Sequence, residues 1–313
     1  MQKDEKVFVA VHEEMIGGAI LRRLQQEGFT RLVTKSASQL DLSAQKVVLD
    51  FFMSEKPAYV FLPSTRIGGI MANSKYPAEF IYTNLQSQNN VIQAAWQSGV
   101  KKLLFLGSSC IYPKSCPQPM KEEYLLTGKL EPTSEPYAIA KIAGIRMCQA
   151  YNRQYGTEYI SVVPADLYGQ GDDFDPETGH VLPALIARMH RARMIAAKNV
   201  TIWGTGKPRR EALHVDDFAD ACLFLMSHYH DSEMINVGSG EDWSIGELAR
   251  LIKEIVGFQG DIVFDTSKPD GAPQKLLDVS RLRKLGWSPR ISLEKGIKET
   301  YQWYMSQIKE RVN

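Results

Sequence analysis

Short apolar runs at residues 7–11, 31–34, 59–62, 102–106 and 159–163 alternate with segments of helical period. Few architectures accept that order. A run that is apolar at every position suits a strand buried on both faces, the condition of a parallel sheet. Between the runs, residues 16–27 place Ile16, Ala19, Ile20 and Leu24 on one helical face, and Gly28 is positioned to stop that helix. Ser43 is positioned to cap the next one, whose apolar face holds Val47, Val48, Phe51 and Phe52. Longer helices are expected at 78–98 and 137–155. The alternation predicts an α/β fold built on a doubly wound parallel sheet.

Beyond residue 172 the rhythm changes. Pro176, Gly179, Pro183, Gly204, Gly206 and Pro208 punctuate the chain more densely. Helical period returns at 216–228, at 244–256 with Ile245, Leu248, Ile252 and Val256 on one face, and at 293–308. The expected division is a dinucleotide-binding domain at 1–172, to which 213–240 returns, and a smaller C-terminal substrate lobe at 173–313. That lobe would stack on the strand C-termini, where such sheets hold ligands. With 37 basic and 36 acidic residues the formal charge is +1, which excludes a global field for nucleic acid or an anionic membrane. No stretch reaches the roughly 18 apolar residues of a spanning helix. Cys110, Cys116, Cys148 and Cys222 form no CxxC pair, and no signal-peptide core opens the chain. A protein of the reducing cytoplasm, without a metal, is expected.

The chemistry gathers around the fourth run. Gly107-Ser108-Ser109-Cys110-Ile111-Tyr112-Pro113 leaves its C-terminal end, and Tyr137-Ala138-Ile139-Ala140-Lys141 opens the following helix. Tyr and Lys four apart share a helical face, so the ammonium can sit beside the phenol. A cation there favours phenolate and lowers a pKa that starts near ~10, making Tyr137 a usable acid or base. Ser108 can hold the reacting oxygen. A Tyr–Lys pair alone is an ordinary helical surface pair; the strand end before it gives it chemical meaning.

The order of these motifs resembles the extended short-chain dehydrogenase/reductases. Longer blocks narrow the resemblance to the GDP-L-fucose synthases: LLFLGSSCIYPK, EPYAIAKIAGI, YNRQYG, GHVLPALI, WGTGKPRRE, LHVDD and TSKPDG, spread over residues 7 to 304. It implies NADPH-dependent epimerisation at carbons 3 and 5, and reduction at carbon 4, of a GDP-4-keto-6-deoxy-hexose. Epimerisation beside a ketone needs a proton removed from one face and returned to the other, which two facing groups serve best. The resemblance gives these roles to Cys110, as a thiolate in an electropositive pocket, and His180. It gives Tyr137 the protonation of the forming alkoxide, with Lys141 and Ser108 in support. Arg210 would contact the diphosphate and Arg188 would line the same pocket, since the guanidinium fork suits phosphate oxygens. Trp203 and Asp270 would lie against the nucleotide, where an acidic residue accepts from the guanine edge. Arg209 has no such counterpart and reads as a solvated charge.

For the cofactor, NADP(H), the resemblance implies Val11, His12, Met15, Ile16 and Gly17 in the first turn, and Lys35 and Asp41 after the second strand. Leu106 and Gly107 follow from the fourth strand, and Pro164 and Leu167 from the fifth. Lys141 and His180 are shared with the catalytic set. Lys35 suits a 2′-phosphate. Along this path the chain departs from the family pattern. A GxxGxxG turn is replaced by Val11-His12-Glu13-Glu14-Met15-Ile16-Gly17, which keeps only the third glycine. The lost glycines serve the tight turn and the close approach of backbone to pyrophosphate. A carboxylate about 4 Å from a phosphate charge costs about 1 to 4 kcal/mol, roughly 5- to 1000-fold in affinity. Glu13 and Glu14 would instead offset the helix macrodipole and take its free N–H groups. Where the family carries small alanines before a Lys or Arg and Gly-Gly, the chain has Pro63-Ser64-Thr65-Arg66 before Gly68-Gly69; the bulkier side chains crowd the adenosine side, and an amide after the fifth strand becomes Asp166.

Three readings stand on the sequence. The first is a working NADPH-dependent epimerase-reductase. The second is an epimerase with weak or lost hydride transfer, and the third a sugar-nucleotide-binding protein without turnover. The Tyr137/Lys141 pair favours the first; the altered loop favours the others. Weak NADPH binding, a GDP-sugar substrate and a homodimer formed through helices 78–98 and 137–155 are expected, with neither nucleic acid nor membrane as partner.

Overall fold

The computed structural model describes residues 1–175 and 179–312. In chain order, β1 (Val7–Val9), α1 (Met15–Gln26), β2 (Leu32–Val33), α2 (Gln45–Glu55) and β3 (Tyr59–Leu62) come first. Then follow α3 (Ile70–Lys75), α4 (Pro77–Gln97), β4 (Lys102–Leu106), α5 (Glu135–Tyr155), β5 (Glu158–Pro164) and β6 (Asp166–Tyr168). The rest comprises α6 (Val181–Met194), β7 (Asn199–Trp203), β8 (Arg209–His214), α7 (Val215–His228), β9 (Ile235–Val237) and β10 (Asp242–Ser244). The chain closes with α8 (Ile245–Val256), β11 (Asp261–Asp265), β12 (Gln274–Lys275), α9 (Ser280–Lys284) and α10 (Leu293–Val312).

Six strands form one parallel sheet in the order β2-β1-β3-β4-β5-β9. Every residue of β1, β3 and β4 is buried, as uniformly apolar runs require. The predicted apolar face of α1 (Ile16, Ala19, Ile20 and Leu24) is buried too. Because β2 lies on one side of β1 and β3 on the other, the winding reverses between β1 and β3. That reversal marks the strand C-termini, the position where open α/β sheets take ligands. Ser43 does not cap α2. The helix starts at Gln45 with Ala44 in the cap position. Asp41 Oδ1 accepts from both the amide (2.9 Å) and the hydroxyl (2.6 Å) of Ser43, an Asx turn that takes the hydroxyl the cap would need.

At Ala165 the chain leaves the large sheet. β6 pairs with β8, which also pairs with β10 and β12, and β7 pairs with β11. These strands, with α6, α8 and α10, surround a second apolar cluster that includes Leu185, Ile186, Met189, Ile202, Ile252 and Ile297. α8 begins with a reciprocal capping box between Ser244 and Glu247. Between β8 and β10, β9 returns the chain to the large sheet beside β5. Among the described residues no helix is long and apolar enough to cross a membrane.

Candidate active site

The first part of the site is the turn from β1 into α1. Val11 adopts φ 54°, and its carbonyl accepts from the Glu14 amide at 3.2 Å. A left-handed conformation costs an L-residue about 1–2 kcal/mol, and a β-branch restricts it further. A glycine would adopt it freely. Val11 therefore holds a turn conformation that its own side chain opposes. Gly17 is required, because a Cβ there would lie 2.2 Å from the Val11 carbonyl oxygen.

Glu13 and Glu14 do not take up the helix N–H groups as expected. Glu14 occupies the cap position of α1 without a side-chain cap, and both carboxylates are exposed. Glu13 Oε2 instead accepts from the Ala37 amide at 3.4 Å. A glutamate is one methylene longer than the residues that cap well. His12 Nδ1 is buried without a hydrogen-bond partner. Lys35 is half-buried beyond β2, with Asp41 exposed nearby in sequence. Ile16, Leu106, Pro164 and Leu167 are buried and Met15 half-buried. The Gly107 amide donates to Val162 O at 2.7 Å. The turn, the tight approach at Gly17, the orphaned His12 nitrogen and Lys35 fit a dinucleotide. The two carboxylates on the rim oppose its phosphates.

The second part is the end of β4 with the start of α5. Ser108 caps a short 3-10 turn, Ser109–Ile111, accepting from the Cys110 amide at 3.4 Å. Tyr137 and Lys141 lie on the buried face of α5, Lys141 only 1% exposed. The Lys141 ammonium stands 4.5 Å from the Phe105 ring centroid and 6.0 Å from that of Tyr137. Phe80 meets the Tyr137 ring edge-on, with centroids 6.2 Å apart. The Tyr137 hydroxyl lies 3.0 Å from Ser64 Oγ, and Ser108 also hydrogen-bonds its phenolate form.

The electrostatics of this cluster reverse one expectation. Burial pushes the Tyr137 phenol above its ordinary value, and the Cys110 charge adds to the rise, against hydrogen bonds from Ser64 and Ser108. Burial also pushes Lys141 down to about 7. Desolvation thus outweighs the Lys–Tyr attraction that the four-residue spacing predicts. Cys110 follows the same rule. Burial raises its thiol, partly offset by a hydrogen bond from Ser108 and by the charges of Lys275 and Lys141. The two lysines favour a thiolate, but burial outweighs them. His180 is exposed in the cap position of α6, and among the described residues no hydrogen bond joins it to the cluster.

The second lobe carries the residues expected at the sugar nucleotide. Trp203 ends β7, 63% exposed, with the Lys268 ammonium 5.6 Å from its ring centroid. Asp270 accepts from the amide (2.8 Å) and hydroxyl (2.7 Å) of Thr205, which hold its carboxyl below the usual range. An ionised carboxylate has about four lone-pair sites, so capacity for a ligand remains. Arg210 Nη1 donates to Arg209 O and Ala272 O, both at 2.7 Å. Burial lowers its pKa and Asp166 counters that, so the acid replacing the family's amide faces Arg210. Arg188 is half-buried on α6. Arg209, read as a solvated charge, is in fact paired with Asp242 at 2.8 Å and Glu247 at 3.5 Å.

The NAD dependent epimerase/dehydratase family matches residues 8–238. The chain belongs to this family. It is 57% identical to putative GDP-L-fucose synthase 2 of Arabidopsis thaliana, over 99% of the chain and 95% of that protein. It is 52% identical to GDP-L-fucose synthase of Escherichia coli K12, over 96% and 97% respectively. Among solved structures, the NADP-bound GDP-mannoheptose C4 reductase MlghC from Campylobacter jejuni superposes with a TM-score of 0.90 at 42% identity. That match covers 97% of this chain and 99% of the other.

Sequence reasoning missed several members of the site. Thr205, Lys268 and Lys275 are not singled out by the sequence, and Ser64 reads there only as crowding the adenosine side. Ser64 and Tyr137 are 73 residues apart, and no local pattern encodes such a pairing. Nor do the residues expected to crowd the adenosine side stand free to do so. Ser64 turns to Tyr137, Thr65 Oγ1 reaches Asn84 Oδ1 at 3.4 Å, and Arg66 pairs with Glu79 at 2.6 Å.

Proposed function

We propose that this chain is an NADPH-dependent epimerase-reductase that converts a GDP-4-keto-6-deoxy-hexose to GDP-L-fucose or a close relative. One observation carries the reading. Buried Tyr137 and Lys141 and half-buried Ser108 and Cys110 form a single cluster at the C-terminal end of β4, beside the switch point of a parallel sheet. Cys110 and His180 exchange protons at the carbons flanking the ketone. Tyr137 then gives its proton to the oxygen at carbon 4, and Ser108 orients that oxygen. Arg188 and Arg210 hold the diphosphate, with Trp203 and Asp270 against the base. The turn at 11–17, Lys35 and Lys141 hold the dinucleotide, which supplies a hydride when bound. Tyr137→Phe should abolish NADPH oxidation while solvent deuterium still enters the sugar; Cys110→Ser should slow the deuterium entry at least tenfold. Equal loss of both in both variants would refute the division of labour.

The exposed carboxylates of Glu13 and Glu14 support a finer statement, that NADPH is held weakly and hydride transfer is the slower part of the cycle. Their exposure places the repulsion near the aqueous end of the range, about 1 kcal/mol per pair. Reduction is then retained rather than lost. The protein works as a cytoplasmic homodimer through α4 and α5, which expose Tyr82 and Ile139.

A further inference from the structure

We infer that Ser64 is a positioning residue for Tyr137, holding the phenol in place and donating a hydrogen bond to the phenolate that forms when Tyr137 gives up its proton. The inference rests on the epimerase-reductase reading and deepens it. Ser64 lies in the segment where the resemblance implies a run of small alanines, which carry no hydroxyl.

Two features make the contact more than a chance approach. The first is burial: Ser64 is 3% exposed and Tyr137 8%, with their oxygens 3.0 Å apart. The second is the rigidity of the segment that carries it. Asn84 on α4, 2% exposed, accepts from Thr65 Oγ1 and the Arg66 amide, both at 3.4 Å. Its Nδ2 donates to Arg66 O at 3.0 Å and to Phe80 O at 2.9 Å. Arg66 also lies over the Phe80 ring, 5.3 Å from its centroid, and Phe80 packs on Tyr137. The residues after Ser64 and the ring of Tyr137 are therefore tied to the same stretch of α4.

In the resting pair either hydroxyl can be the donor. Once the oxygen at carbon 4 has taken the Tyr137 proton, the phenolate can only accept, and the bond must run from Ser64. Ser64 keeps its own proton throughout. The carbonyl carbon is reduced, its oxygen is protonated by Tyr137, and the charge left on the phenolate is shared with the Ser64 and Ser108 hydroxyls. A hydrogen bond to a charged group in a buried site is worth about 10- to 100-fold in such an equilibrium. Part of that factor appears in the rate of proton transfer.

The test compares Ser64→Ala and Ser64→Thr with the unaltered protein. With enzyme in excess over a GDP-4-keto-6-deoxy-hexose, single-turnover NADPH oxidation by Ser64→Ala should slow about tenfold. Its solvent deuterium isotope effect should rise. NADPH affinity, KM for the sugar and deuterium entry beside the ketone should change less than about twofold, because none of them uses the phenolate. Ser64→Thr, which keeps the hydroxyl, should recover most of the rate. A full rate in Ser64→Ala would overturn the inference. So would equal slowing in Ser64→Thr, or a loss explained by weaker NADPH binding. If the unaltered protein oxidises no NADPH with this sugar, the functional reading falls and the inference with it.

Discussion

Lys141 is buried to 1% exposure with its ammonium over the Phe105 ring, and its pKa is pushed down to about 7. That burial has a signed consequence for stability. Between pH 7 and 10.5 the unfolded chain holds a proton on this lysine that the folded chain has released. Stability from this group therefore rises with pH across that window, and below it the burial penalty is complete. Lys141→Met, which keeps the length of the side chain, should raise the urea midpoint at pH 6.5 more than at pH 9.5. An equal effect at both would show that the cost lies elsewhere. The same residue marks a limit of sequence reading. Four-residue spacing correctly put Tyr137 and Lys141 on one face, but it carried no information about how dry that face is. Dryness, not proximity, sets the direction in which the pKa values of Tyr137, Lys141 and Cys110 move.

At the scale of elements, the turn into α1 shows geometry surviving the loss of the residues that usually provide it. Val11 accepts a left-handed backbone because Gly17 still lets the chain pass within contact distance and the Glu14 amide still closes the turn. What changed is charge. Glu14→Gly should tighten NADPH about fivefold at low ionic strength, with a smaller gain in added salt, because exposed charges are screened. Glycine is an adequate cap residue, so α1 should not melt. Unchanged affinity in fluorescence titration would show that the phosphates never meet this carboxylate. The buried strands and amphipathic helices were legible in the sequence because their periodicity is a local property. The failures were side-chain choices at element ends: Ser43 bonding Asp41 rather than capping α2, and Glu13 reaching Ala37 rather than its own helix. Each turns on a competing partner that the pattern does not rank.

For the whole molecule, Glu211 ties the two lobes together. It is 2% exposed on β8, and two chain segments close on it. Oε1 accepts from the Gly240 amide at 2.7 Å, just beyond β9 of the large sheet. Oε2 accepts from the Leu277 amide at 2.8 Å, beyond β12 of the small one. Gly238 passes so close that a Cβ would lie 2.2 Å from Oε1. Burial pushes this carboxyl up to about 7, against the hydrogen bonds from Leu277 and Gly240 that favour the charge. Between pH 4.5 and 7 the folded protein thus holds a proton that the unfolded chain has released, and the contribution of Glu211 to stability falls as pH rises through that window. Glu211→Gln removes the titration but sets an NH2 group against a backbone donor, a penalty present at every pH. The informative quantity is therefore the slope of the difference between the two proteins. The variant should gain on its parent by roughly 3 kcal/mol in unfolding free energy between pH 4.5 and pH 8. A difference independent of pH would mean that Glu211 stays ionised throughout. The clasp between the lobes would then be held by its hydrogen bonds alone.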